Sequence, residues 1–321
     1  MDCGPNFGRP YMRPKDRSLA TQLQLRLAKY QRTQALPGIN DPRARAALIE
    51  QLVESLHRVE YVNVLRHRQF SQERANPHSE LFDPIKAAVL HHRAGNDDEA
   101  FWLTFLSVHF GKNLRTGWRL LRDVYGRLGR APWTWLRISA DPIGFRHWLA
   151  SSINTLHGGD GITRRFGNHR KYQSLDAWSP SGTGSALESY VGWIAPPRPH
   201  REMFTVAVTK SRGDGRLAFA CLYETMRVAS FGRTAKFDYL AMVGKLGLAP
   251  IEPDRAYLSA STGPLIGTKR LFGVTGRTAS PAQLDSHLVQ LGAALEVGMQ
   301  VIEDALCNWQ KSPLLFRPFR G

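Results

Sequence analysis

The densest run of chemically able side chains is Arg164-Arg165-Phe166-Gly167-Asn168-His169-Arg170-Lys171-Tyr172. Guanidinium forks make paired hydrogen bonds to phosphate oxygens, and a flanking glycine lets the backbone turn around the same anion. The run therefore suits a phosphate or pyrophosphate. A solvated charge run that touches a polyanion nonspecifically has the same composition. A second cluster, Phe231-Gly232-Arg233-Thr234-Ala235-Lys236-Phe237-Asp238-Tyr239-Leu240, is a glycine turn entering a helix. The first N–H groups of such a helix are a natural seat for phosphate. Asp238 falls one turn past Thr234, as either a working carboxylate or a surface acid paired with a nearby base. Asp254, in Pro253-Asp254-Arg255-Ala256-Tyr257, follows a loop; locally it reads first as a helix cap and second as a catalytic acid. Near the C-terminus Glu303, Cys307 and Lys311 are spaced by four and share a helix face, with Asp304 and Asn308 on the neighbouring one. A Glu-to-Lys surface pair explains that face, and Cys307 reads as a core thiol.

These residues need helices to position them. Asp41-Pro42 is an N-cap followed by proline in the first turn, and the apolar series Ile49, Leu52, Leu56, Val59, Val62, Leu65 predicts a helix to about Arg68. Asn96-Asp97-Asp98-Glu99 opens another, with acids where the helix dipole favours them. That helix is apolar on nearly every side from Phe101 to Phe110, so it should be central. Glycines and prolines punctuate residues 151–199, which predicts a long central loop region. Helical pattern returns at 200–210, 216–231 and 234–246, and the capping box Ser280-Pro281-Ala282-Gln283 opens a last stretch to about Lys311. Strand-like alternation is scarce, so the expected class is all-α. Residues 1–40, rich in Arg, Lys, Pro and Gln with a possible helix over 19–30, read as a basic arm or a loosely attached first helix. Residues 41–321 read as a single helical domain.

Composition narrows the partners. The 321 residues include 43 Lys plus Arg against 27 Asp plus Glu, a net charge of +16. Such a surface draws polyanions by long-range attraction and counterion release. DNA is the expected partner; RNA or an acidic membrane shares the same electrostatics. No apolar run approaches the ~20 residues of a bilayer span, and the N-terminus lacks the apolar core of a secretory signal. The expected location is therefore the cytoplasm. Cys3, Cys221 and Cys307 form no CxxC pair, which suits a reducing compartment. HExxH, P-loop and GxGxxG patterns are missing, so neither a metal ligand nor a bound nucleotide cofactor is expected. Whether a divalent ion escorts a pyrophosphate is left open by the acids present.

Two resemblances follow from these segments. Gly232-Arg233-Thr234-Ala235, a helix to about Gly247, and then Asp254 resemble a degenerate helix–hairpin–helix and the aspartate of the helix–hairpin–helix DNA glycosylases. The G-x-K-T-A segment is one residue short and the lyase lysine is absent, which speaks against strand cleavage. A closer likeness is carried by Glu99-Ala100-Phe101-Trp102 through His109-Phe110-Gly111-Lys112, by Phe166 through Tyr172 with Ser174, by Phe231 through Leu240, and by Glu303 through Cys307. These resemble the phage alpha-glutamyl/putrescinyl thymine pyrophosphorylases, or amino acid:DNA transferases, across about residues 97–311.

The resemblance implies a DNA-glycosylase-like helical fold and a transferase acting on DNA. Its substrate would be 5-hydroxymethyluracil already pyrophosphorylated by a separate kinase, and an amino acid or polyamine would replace the pyrophosphate. On that reading His169, Arg170 and Lys171, helped by Arg233, stabilise the leaving pyrophosphate. Asp238, Asp254 and Asp304 are the candidate general bases for the incoming amine. Tyr172 and Tyr257 are candidates to stack on a flipped base. Arg164, Arg165, Lys236, Lys269 and Arg270 are assigned to DNA contact. A glycosylase, or a DNA-binding protein without catalysis, are the competing readings; the product separates them.

Overall fold

The computed structural model describes residues 13–170 and 172–318; residues 1–12, Lys171, the side chain of His169 and residues 319–321 lie outside the description. Among the described residues every regular element is helical, so the all-α class expected from the sequence is the one adopted. The first helices are α1 (Arg17–Tyr30), α2 (Pro42–Leu65), α3 (Pro84–Arg93), α4 (Asp97–Phe110) and α5 (Arg119–Tyr125). Next come α6 (Trp135–Ala140), α7 (Pro142–Asn154), α8 (Thr183–Ile194), α9 (His200–Lys210), α10 (Gly215–Thr225) and α11 (Arg233–Leu246). The chain ends with α12 (Gly263–Phe272), α13 (Val274–Thr278), α14 (Pro281–Leu295) and α15 (Met299–Trp309). Two compact units form, one from the N-terminal residues up to Glu60 with those from Arg255 on, the other from Tyr61–Asp254.

In the first unit α1, most of α2, α12, α14 and α15 share one core. Leu23 and Leu27 of α1, part of the segment read as an arm or loose helix, are fully buried there with Leu48, Leu52, Leu271, Leu288 and Trp309. Each large apolar side chain so buried contributes about 1.5–3 kcal/mol. Asp41 caps α2 by accepting from the Arg43 N–H at 2.8 Å. The expected capping box is present, Ser280 and Gln283 exchanging hydrogen bonds at the start of α14. The last helical stretch is not continuous to Lys311: Glu296 turns left-handed at φ 56 and the chain restarts as α15. Gly267 lets α12 press against α15, since a Cβ there would lie 2.4 Å from the Leu306 carbonyl oxygen.

The second unit is organised around α4. Every residue from Glu99 to Phe110 is buried, as its all-round apolarity predicts. The Phe105 ring of α4 stacks on Tyr190 at 3.8 Å and on Phe231 at 4.8 Å between centroids. The loop region expected over 151–199 is narrower than its glycines suggest. α7 runs to Asn154, and α8 occupies 183–194. Gly182 and Gly184 serve close packing rather than a turn, because a Cβ on Gly184 would lie 2.1 Å from the Ala177 carbonyl oxygen. The helix expected to reach residue 231 ends at Thr225, and residues 226–232 form the connection into α11, with Ser230 at φ 59.

Candidate functional site

Two of the polar residues singled out in the second unit, Arg170 and Asp238, meet where α4 ends. Gly111 closes α4 at φ 66, a conformation that favours glycine. Gly167 then packs directly on it, its N–H bonding the Phe110 carbonyl at 2.8 Å. A Cβ on Gly167 would come within 2.8 Å of the Gly111 backbone, so two glycines fix the loop against the helix end. Phe166 stacks on Phe110 at 5.6 Å and Asn113 donates to the Phe166 carbonyl at 2.9 Å.

Arg170 is thereby carried inward and is only 8% exposed. Its Nε donates to the Val108 carbonyl at 2.7 Å, satisfying a terminal acceptor of α4, and its Nη2 to Asp238 Oδ2 of α11 at 2.8 Å. Arg170 and Asp238, two expected site residues, are therefore one ion pair, with the Asp238 carboxylate still 42% exposed. One turn back on the same helix Arg233 is buried and lies over the Phe237 ring at 4.7 Å. Tyr172 stands out from the loop at 89% exposure.

His109, which the sequence reading assigned no role, sits beside this pair. It is buried, and its Nε2 lies 3.1 Å from Thr183 Oγ1, whose own proton goes to the Ser174 carbonyl at 2.7 Å. Nε2 is therefore the protonated nitrogen. Burial, reinforced by the charge on Arg170, holds its pKa down at about 3, so the ring is neutral at physiological pH.

Other expected site residues are placed differently. Arg164 is turned into the protein, its side chain 2% exposed. It donates to Asp123 at 2.6 Å, to both oxygens of Asp160 at 2.7 Å, and to the Thr155 carbonyl at 2.8 Å. Its fork closes the loop and is not displayed toward a ligand. Arg165 is exposed. Lys236 is half-buried with its ammonium over the Tyr223 ring, and burial, then the charge of Arg227, lowers its pKa. In the first unit, Tyr257 is only 5% exposed and Arg255 covers its ring at 4.7 Å, so it presents no free face for a base. Asp304 also belongs to that unit, where Ser55 and Arg58 donate to Oδ2 at 2.7 and 2.9 Å and Asn308 to Oδ1 at 2.9 Å. Lys269 is half-buried and Arg270 exposed in the last turn of α12. Asp254 is half-buried between the Pro253 and Arg255 positions and forms no helix cap. Among the described residues no group of His, Cys, Asp and Glu is arranged to hold a metal ion, and no helix is long and apolar enough to cross a membrane.

The other end of α4 carries a network that sequence reasoning did not single out. Buried His200 bonds Asp98 Oδ1 through its backbone N–H at 2.8 Å and its Nδ1 at 2.7 Å. His200 Nε2 meets the Tyr190 hydroxyl at 2.9 Å, and that hydroxyl meets Tyr239 at 2.8 Å. Next to Asp98, Glu99 accepts from the Tyr125 hydroxyl at 2.5 Å and the Trp135 N–H at 2.7 Å. Burial pushes its pKa up to about 6. The only local signal was an acidic first turn, which a helix dipole explains by itself.

No curated protein and no solved structure is significantly similar to this chain. The family model of alpha-glutamyl/putrescinyl thymine pyrophosphorylase clade 3 matches residues 43–321, a span that contains α4, the 166–174 loop and α11. With nearly the whole chain matched, the protein belongs to the alpha-glutamyl/putrescinyl thymine pyrophosphorylase family, clade 3.

Proposed function

We propose that the protein replaces the pyrophosphate of 5-pyrophosphoryloxymethyl-uracil in DNA with the amine of an amino acid or polyamine. The observation that carries this reading is that three family-like segments, 99–112, 166–174 and 231–240, fold together at the C-terminal end of α4 within a chain matched over 43–321. The amine nitrogen attacks the exocyclic methylene carbon, the carbon–oxygen bond breaks, and the pyrophosphate leaves with the electron pair. The amine's surplus proton passes to a carboxylate.

In this reading the start of α11, with Gly232 ahead of it and no side-chain cap, offers backbone N–H groups to the leaving pyrophosphate. The family likeness assigns His169, Lys171 and Arg233 to the leaving pyrophosphate, where their charge or hydrogen bonds would stabilise it. Asp238 takes the proton, and Arg170 fixes the orientation of its carboxylate. Asp254 is the second candidate base; Asp304, with both oxygens engaged by neighbours, holds Arg58 and Asn308. Tyr172, exposed on the loop, stacks on the displaced base. Arg165 and Arg270 meet phosphates, and the net charge of +16 supplies the general attraction for DNA. A kinase acting on 5-hydroxymethyluracil in DNA must supply the substrate.

The test is a reaction on duplex DNA containing the pyrophosphorylated base, with a mixture of amino acids and polyamines, followed by digestion and mass spectrometry of the nucleosides. An aminated nucleoside that is lost in Asp238→Asn protein is the expected result. Unaltered bases with folded, DNA-bound protein would overturn the reading. Release of a free base would instead establish a glycosylase.

A further inference from the structure

At the N-terminal end of α4 lies a cleft of about 790 Å³ whose polar lining includes Asp98, Glu99, Thr134, Ser139 and Arg198. Two of these groups are held rigidly while keeping one polar atom uncommitted. Asp98 Oδ1 takes both hydrogen bonds from His200, and no bond to Oδ2 occurs among the described residues. Arg198 is pinned along one edge, Nε donating to the Ile194 carbonyl at 2.9 Å and Nη2 to the Trp193 carbonyl at 3.1 Å. Its Nη1 carries no bond among the described residues.

The buried network behind Asp98 has a single polarity. Burial lowers the pKa of His200 more than Asp98 raises it, so the ring is neutral. Its Nδ1–H donates to the carboxylate, so Nε2 must accept the Tyr190 proton, and Tyr190 in turn accepts that of Tyr239. Every donor points toward Asp98. Burial would raise the Asp98 pKa, but the bonds from His200 outweigh it and keep the group ionised. Three buried polar side chains are costly unless fully satisfied, and the end of this chain that opens to the cleft is a fixed negative charge. Glu99, both oxygens occupied, forms part of the wall and ties it to the start of α6.

We propose that this cleft is a binding site for a small zwitterion of the α-amino-acid class, its ammonium on Asp98 Oδ2 and its carboxylate on Arg198 Nη1. A diamine would leave the guanidinium without an anion, and a simple carboxylic acid would leave Asp98 without a cation. The site is separate from the Arg170–Asp238 pair. Asp98 and Val108 stand ten residues apart on α4, about 15 Å along a helix. It therefore stands whether or not the proposed transfer reaction does.

Isothermal titration of the full-length protein without DNA tests it, using glutamate, glycine, putrescine and acetate as probes. Glutamate and glycine should bind at least about tenfold more tightly than putrescine or acetate, since each of the latter makes only one of the two charged contacts. Asp98→Asn, which still accepts from His200, and Arg198→Gln should each weaken glutamate binding about tenfold or more. Arg198 lies in a partly exposed link, so its variant keeps the test valid if Asp98→Asn fails to fold. Putrescine binding as tightly as glutamate, glutamate binding unchanged in folded Arg198→Gln protein, or no heat from any probe up to about 10 mM would overturn the proposal. DNA amination that persists in a variant without amino-acid binding would leave the transfer reading intact.

Discussion

Glu99→Gln isolates one buried charge whose effect on stability has a defined sign. Glu99 is 4% exposed and accepts two hydrogen bonds, from the Tyr125 hydroxyl and the Trp135 N–H. Burial lifts its pKa from 4.5 to about 6, against the pull of those two bonds and with a smaller push from Asp98. A carboxyl group with a raised folded-state pKa stabilises fully below its unfolded value, and that stability is lost as the pH rises through the folded value. The displacement is worth roughly 2 kcal/mol, of which about 1.2 kcal/mol disappears between about pH 5 and about pH 8. The substituted side chain would not titrate, and its amide can serve the Trp135 N–H and the Tyr125 oxygen without a charge. Urea unfolding of both proteins at the two pH values should therefore show the variant gaining about 1.2 kcal/mol on the wild type as the pH rises. A gap that changes by less than about 0.3 kcal/mol would refute the reasoning, because Glu99 would then ionise as an ordinary exposed acid does.

Four further expectations follow, three for residues near the end of α4 or on α11 and one for Asp304 of the first unit. Arg170→Met leaves the Val108 carbonyl without its donor and breaks an ion pair whose acid is 42% exposed. The loss should be about 2–3 kcal/mol, seen as a fall in Tm of roughly 5–10 °C. Tyr172→Ala removes a ring that is 89% exposed; Tm should stay within about 1 °C, while affinity for DNA bearing an extruded base falls about tenfold. Asp238→Asn should lower the amination rate at least about 100-fold with little change in Tm. Asp304→Asn, which disturbs the Ser55 and Arg58 contacts, should lower Tm and leave the rate of the folded fraction nearly unchanged. Parallel rate and melting measurements on the two variants check both statements.

What local sequence specified is what local physics specifies. An α4 apolar on all sides can only be central, and it is buried from Glu99 to Phe110. Ser280 and Gln283 are three residues apart and cap α14 without outside help. The family likeness rested on the same kind of signal, short segments legible one at a time. Pairing across the chain was not legible. Arg170 finds Asp238 68 residues away and Asp98 finds His200 102 residues away, and no periodicity encodes such encounters. Arg164 looked like a displayed cation because its neighbours are polar, yet its fork closes on Asp123 and Asp160 inside the fold. Gly182 looked like part of a loop, whereas its missing Cβ serves contact with the Asp176 backbone. Helix ends and burial patterns follow from residues one or two turns apart, so the sequence determines them. The identity of an ionised group's partner depends on which distant backbone the packing delivers, and only the tertiary structure decides that.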